Sequence, residues 1–441
     1  MAALDTRARI ARLLQRTGFG VRATDVDFAM AAGFDGTLDA ILEGGRDPGA
    51  EATPAPDIGP LPPRNVKDAC ALQRYREARN QQRERLTLWW LDRMTAAHRP
   101  WREKRTFLWH DHWATSIQKV ESGRAMLVQN ETLRRLGDGD FRKLARHMVT
   151  DPALMRWLDA SSNVANGPNE NLARELMELF VLGVNNYKVR DIRQAAAALT
   201  GWTIDMSGKD GWRPVFRPRL HAQGPQTVLG RTTDFTAQTL VDHLVDQLAS
   251  PRHVASRFWA RLVSAEHPPS KQSMERMVRA YGKKHNVSRM LRALFTDPAF
   301  ADEDNVLVKQ PVEYVVGSLR AFGVRPAKLP PQSRQQLLGT LGGLGQVPFA
   351  PPNVGGWPHG ATWLTTSAAA VRIPFAQRLA GWADLSAIEQ EYATERPAVL
   401  ARLLGVDEWS RQTTAVLAAA AEDPRRVTAI ALTAPEYLVQ P

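Results

Sequence analysis

The stretch Asn169-Glu-Asn-Leu-Ala-Arg-Glu-Leu-Met-Glu-Leu-Phe-Val-Leu-Gly183 decides how the chain is read. Leu172, Leu176 and Leu179 share one stripe at helical spacing, with Ala173, Met177 and Phe180 beside it. Asn171, Glu175 and Glu178, at i, i+4 and i+7, form a polar stripe bordering those apolar positions. Two carboxylates one turn apart beside a core repel unless a cation, a metal or a shared proton compensates. Arg174 or Arg193 could neutralise them in a structural network. They could equally be a catalytic or metal-binding pair, or lie on a plain solvated face. The Glu-x-x-Glu spacing does not support a di-iron bundle site, which uses Glu-x-x-His.

The same period runs outward in both directions. Residues 5–17 repeat apolar positions at helical spacing and stop at Gly18-Phe-Gly20. Short helices are expected near 24–32 and 35–43. A Pro/Gly-rich stretch over 44–64 reads as a linker. Val66 to about Ala97 reads as one long helix, and Pro100 suits the first turn of the next, which carries Phe107, Leu108, Trp109 and Trp113. Helical patterns recur near 123–136, 140–150 and 189–200, and from about 235 to 433. The stretch 202–233 differs and reads as a loop with a small hairpin. Residues 346–360, dense in Pro and Gly but holding Phe349 and Trp357, read as an ordered loop packed on the core. The expected fold is all-α: a large multi-helix domain with a small irregular or hairpin insertion near 202–233. An N-terminal segment (1–43) and the linker (44–64) precede the main helical domain (65–441), the whole forming one elaborated domain.

Composition removes several function classes. The 441 residues carry a net charge of +11 and one cysteine. Cys70 alone can make neither an intramolecular disulfide nor a cysteine-based zinc or iron–sulfur site. No run of about 18 apolar residues is present, so no membrane span is expected. The first ten residues lack the apolar region of a signal peptide, which suggests a cytoplasmic protein. The positive charge is mostly arginine, densest at Arg74, Arg76, Arg79, Arg83 and Arg85, and again from Arg93 to Arg105. Glu77, Glu84 and Glu103 interrupt it and no recognition motif accompanies it. Nucleic-acid binding is disfavoured against a partly ion-paired helix face.

Further polar groups could carry chemistry. In Glu103-Lys-Arg-Thr-Phe-Leu-Trp-His110-Asp-His112-Trp, Trp109 and Trp113 should face the core together, while Glu103 and His110 share another face. His110 and His112 lie about 200° apart on an ideal helix and cannot chelate one ion there. His110 is either a buried hydrogen-bonded residue or a general acid/base assisted by a carboxylate. His221 matters only if its irregular stretch folds over the Glu175/Glu178 helix. Asn353, Trp357 and His359 sit on the Pro/Gly loop, which could line a pocket or seal a core. No Gly-x-Ser-x-Gly, Walker or Rossmann motif occurs.

Taken in order, these segments resemble one bacterial family, known only as domain of unknown function 1800. The resemblance rests on Leu13-Leu-Gln-Arg-Thr-Gly-Phe-Gly20, Glu103-Lys104 with Phe107-Leu-Trp-His-Asp-His-Trp113, Asp151-Pro-Ala-Leu-Met155, the Asn169–Val184 stretch, Ala198-Leu-Thr-Gly-Trp202, His221 and Pro351-Pro-Asn-Val-Gly-Gly-Trp-Pro358. It implies a largely helical domain and, as partner, a protein of a neighbouring exported, sulfatase-like uncharacterised family. After Trp202 the family tends to have His-Asp-x-Gly-x-Lys, whereas this chain reads His221-Ala-Gln-Gly-Pro-Gln226, lacking the acidic and basic members.

The leading expectation is a hydrolase- or lyase-like enzyme with a cleft between the 103–113 and 169–183 helices, covered by the 201–230 and 351–360 loops. Glu175 or Glu178 acts as acid or base, His110 as proton partner and His221 as a further catalytic group. Asn169, Asn171, Arg174, Trp202, Asn353 and Trp357 bind substrate, with a glycan as one candidate. A divalent metal would be held by His110, Glu175 and Glu178. The rival is a non-catalytic helical scaffold or partner-binding protein with a buried polar network. The first requires His110, Glu175 and Glu178, and preferably His221, to converge on one solvent-reachable pocket.

Overall fold

The computed structural model describes residues 4–207 and 211–440. Helices start where the sequence supplies a side-chain acceptor for their first N–H groups. The Asp5 carboxylate takes the Ala8 N–H, Asp68 those of Cys70 and Ala71, and Ser122 that of Ala125. The long helix is Ala69–Ala96, with an exposed first half and a buried second half that places Leu86, Trp90, Leu91 and Met94 in the core. Pro100 stands at the cap of the next helix, Trp101–His112, just ahead of its first turn. The fold is all-α with a few short antiparallel strand pairs.

The described residues bury their apolar side chains in two clusters. One joins Ile10 and Leu13 to Trp109 and Trp113, to Leu176 and Phe180, and to the helices between Ala237 and Phe295. The other joins Trp90 and Phe107 to Val312–Leu319, Phe375 and Leu432. Trp109 and Trp113 both reach the core, as their spacing required, but Phe107 on the same helix belongs to the second cluster. The Trp101–His112 helix is therefore a partition between two cores. Each of its fully buried aromatics contributes on the order of 1.5–3 kcal/mol of apolar transfer free energy.

Three local departures have physical causes. The stretch 202–233 holds two hairpins, Trp202–Asp205 with Arg213–Phe216 and Gln226–Val228 with Arg231–Thr233, where one was expected. A third strand pair, Leu307–Val308 with Val439–Gln440, joins segments too far apart for sequence spacing to show. Within 169–183, the α-helix Asn171–Glu175 widens into a π-helical segment, Leu176–Val181, with the Leu182 N–H reaching the Met177 carbonyl at 3.0 Å.

Residues 44–64 are anchored in part: the Asp47 carboxylate takes the N–H groups of His98 and Arg99, and Ala50, Thr53 and Ile58 are buried. In the arginine-rich region Arg79 pairs with Glu121, Arg93 with Glu103 and Arg105 with Asp138. No helix among the described residues is long and apolar enough to cross a membrane.

Candidate functional site

Four consecutive side chains near the end of the Trp101–His112 helix each hold a different part of the chain. Trp109 Nε1–H donates to the Gly137 carbonyl at 2.7 Å. His110 Nε2 accepts the Phe349 N–H at 3.0 Å. Asp111 Oδ1 accepts the Trp357 N–H at 2.7 Å, and its Oδ2 takes the Arg261 Nε–H at 2.9 Å. His112 Nε2–H donates to the Phe180 carbonyl at 2.8 Å. Helical geometry fans successive residues around the axis, so one short segment can reach four neighbours.

His110 is 1% exposed, with Trp90, Phe349 and Trp357 against its ring. Burial drives its pKa down to about 4, against a weaker opposing pull from Asp111. It is a neutral imidazole whose Nε2 lone pair is already used. Glu103, on the same face, is closed off as well. Trp90, Arg93 and Arg134 all donate to it, and despite burial the guanidiniums hold its pKa at about 2.

His112 and His253 share a task that the sequence did not reveal. The π-helical segment ends at Val181, leaving late carbonyls without intrahelical donors. His253 Nε2–H takes the Leu179 carbonyl at 2.7 Å and His112 takes that of Phe180. Burial first, then nearby Arg257 and His253, holds His112 well below the usual imidazole range. His253, Arg257 and Arg261 lie at i, i+4 and i+8 on the Ala249–Leu262 helix. This basic stripe seams that helix to the π segment, to Asp111 and to the 351–360 loop: Arg257 donates to the Asp111 and Gly355 carbonyls at 3.4 Å and Arg261 to the Trp357 carbonyl at 3.1 Å. The spacing was visible in the sequence; its target was not.

The 351–360 loop closes on this helix. Trp357 is buried and stacked on Phe107 with 5.5 Å between ring centroids. Gly356 has φ +90°, and a Cβ there would fall 2.3 Å from Asp111 Oδ1, so the loop can approach only as glycine. Asn353 is exposed and its Oδ1 takes the Gly355 N–H, shaping the turn. Asp151, in another of the motifs, caps its own helix through the Leu154 N–H and accepts from Gln129.

The carboxylate pair is a separate place. Glu175 and Glu178 are half-buried on the α/π helix, and Asn171 is exposed. Burial, then the Glu178 charge, raises the Glu175 pKa. Tyr187 Oη–H donates to Glu178 Oε2 at 2.6 Å. Arg174 and Arg193 both pair with Glu170, so neither makes a salt bridge to the pair. Asn169 braces the turn ahead of the helix, its Oδ1 taking the Asn171 N–H and its amide reaching the Asp159 carbonyl. His221 stands at the 202–233 hairpins, against Phe216, with Nδ1 3.0 Å from the Thr200 carbonyl; Trp202 packs on Phe216.

Glu175, Glu178 and Tyr187 thus come together. His110 is walled off from them in its own aromatic cage, and His221 bonds to Thr200. Among the described residues no group of three or more His, Cys, Asp or Glu side chains could hold a metal ion, so the His110/Glu175/Glu178 ligand set is not assembled. The pair alone offers two carboxylates and a phenol for proton transfer.

A family model described as "Protein of unknown function (DUF1800)" matches residues 12–439. No curated protein matches the chain. No solved structure matches it.

Proposed function

The chain belongs to the family of proteins of unknown function designated DUF1800, and from that premise we propose that it is a non-catalytic helical binding scaffold whose motif side chains form a buried polar frame. The observation that carries this reading is the sealed, neutral His110 with its Nε2 committed to the Phe349 N–H. A general acid/base must reach a substrate proton, and this imidazole is buried with Trp90, Phe349 and Trp357 packed against its ring. Metal content of the purified protein, compared with a Glu175→Gln, Glu178→Gln double variant, tests the reading. Equal, near-zero content in both agrees with it. A stoichiometric metal lost in the double variant would replace it with a metalloenzyme.

A second reading has its own observation. Glu175 and Glu178 are like charges held near a core, with no salt bridge to either among the described residues and Arg174 acting on Glu175 only as a nearby charge. Such an arrangement costs stability, and acids without an ion-pair partner beside a core are found at sites kept for chemistry. In a hydrolase- or lyase-like enzyme the raised Glu175 would donate the proton and Glu178, oriented by Tyr187, would act as base. The double variant discriminates here too: under this reading it gains thermal stability while losing turnover in a screen of glycan and ester substrates.

A further inference from the structure

A cavity of about 720 Å³ opens between the N-terminal helices and the junction of the Ala69–Ala96 and Trp101–His112 helices. None of the residues considered above as catalytic, substrate-binding or metal-binding lines it. Its size falls in the range of small-molecule sites, about 300–1,000 Å³. Leu14, Ile41, Leu42, Leu403 and Leu404 give it apolar wall, and Phe28 among its lining residues is 83% exposed.

The rest of the lining is arginine-rich, and the charges do not balance. Arg22 pairs with Asp25, Arg105 with Asp138, and Arg325 with Asp92. Arg99, Arg102 and Arg320 remain with no carboxylate partner among the described residues. They bond only to backbone carbonyls: Arg99 to Gly44, Arg102 to Gly45, and Arg320 to Met94, Thr95 and Ala97. A carbonyl accepts a hydrogen bond without cancelling a charge. The carboxylate left over is Asp47, whose pKa is lowered, against burial, by the N–H groups of Ala50, His98 and Arg99. Three cations therefore face one anion.

Arg320 is the most telling of them. All its hydrogen bonds leave from Nη1, where it caps the end of the Ala69–Ala96 helix. Its Nε and Nη2 donors have no protein acceptor among the described residues, and the side chain lines the cavity. That edge of a guanidinium takes a carboxylate or phosphate through two parallel hydrogen bonds. Asp25 and Asp47 act on Arg320 only as nearby charges, against burial and the Arg22 charge that lower its pKa, and a bound anion offsets the cost of a cation so placed.

We propose that this cavity binds an amphipathic organic anion, a carboxylate or phosphate head on an apolar body. The head sits on the Nε–Nη2 edge of Arg320 in the field of Arg99 and Arg102, and the body lies along Leu14, Ile41, Leu42 and Phe28. The inference is independent of the framework reading, since a catalyst and a scaffold could each carry such a site.

Calorimetric titration of the full chain tests it, with laurate and dodecyl phosphate as probes and dodecyltrimethylammonium as the cation of the same chain length, all below micelle formation. One saturable site for either anion and none for the cation is the expected result, the tighter anion naming the head group. Arg320→Lys, which keeps the charge but loses the fork, should weaken anion binding about tenfold. Ala40→Trp, placed on the exposed lining, should remove binding by filling the space. Since Arg320 also caps a helix, the surface pair Arg99→Gln, Arg102→Gln provides a second charge test and should weaken the anions without unfolding the protein. Absence of saturable anion binding, equal binding of the cation, or Ala40→Trp binding like the parent would each overturn the proposal.

Discussion

His110 Nε2 accepts the backbone N–H of Phe349, a residue held in the left-handed region at φ +67°. A bulky residue adopts that conformation only where surrounding contacts enforce it, at a cost of about 1–3 kcal/mol. The Phe349 carbonyl in turn accepts the Ile117 N–H at 2.8 Å, so the strained residue is bonded on both sides.

This arrangement makes stability depend on acid. The folded pKa of His110 is about 4 against an ordinary 6.5, so between those values the unfolded chain holds a proton that the folded one does not. The stabilising effect is complete above about pH 6.5 and is lost as pH falls to 4, amounting to about 3 kcal/mol. His110→Gln keeps an acceptor for Phe349 but does not titrate. Urea unfolding at several pH values should show the parent losing stability relative to this variant over that window. A parallel pH dependence would show that His110 is not buried neutral.

Asp111 serves Arg261 and Trp357 at once. Asp111→Ala strands a buried guanidinium and should cost about 3–5 kcal/mol. Asp111→Asn keeps an acceptor for the Trp357 N–H and should cost less. Hydrogen exchange at the Trp357 amide separates the effects, with fast exchange in the alanine variant and partial protection in the asparagine one.

Removing a carbonyl's donor is a local injury. His112→Phe keeps the aromatic packing but leaves the Phe180 carbonyl unpaired, which should cost about 1–3 kcal/mol. Amide exchange should accelerate first at Leu182 and Gly183, whose N–H groups close the π segment on Met177. Loss spread evenly over both cores would argue against this capping role.

Glu178→Gln should lower the Glu175 pKa by removing one of its two causes, while burial, the larger, keeps it above the usual range. Carboxyl chemical shifts followed through pH read this directly. An unchanged midpoint would mean that the two acids do not sense each other.

The helical architecture was legible because long amphipathic stretches carry their period openly, and the 107–113 aromatics announced a core by spacing alone. The polar stripe Asn171, Glu175, Glu178 was legible for the same reason. What stayed hidden was partnership. Glu103 and His110 were rightly placed on one face, yet nothing local could tell that Arg134 and Phe349 would occupy them. Arg174 and Arg193 looked like neutralisers of the Glu175 pair but turn to Glu170, one residue outside the stripe. The donors that take the Leu179 and Phe180 carbonyls of the π segment, His253 and His112, arrive from elsewhere in the chain. The arginine-lined cavity is assembled from segments hundreds of residues apart, each unremarkable alone.

The four bonds made by Trp109 to His112 have a bearing on biosynthesis. Their partners are Gly137, Phe349, Trp357 and Phe180, and two of these emerge from the ribosome only after some 240 further residues, on the order of ten seconds or more of synthesis. Until then the partition helix exposes an unpaired imidazole and carboxylate beside a half-made second core. Contacts of such long sequence separation are slow to close, so the nascent chain passes through an extended, sticky interval. C-terminal truncations that remove the Phe349–Trp357 segment should therefore accumulate as insoluble material rather than as a smaller folded domain.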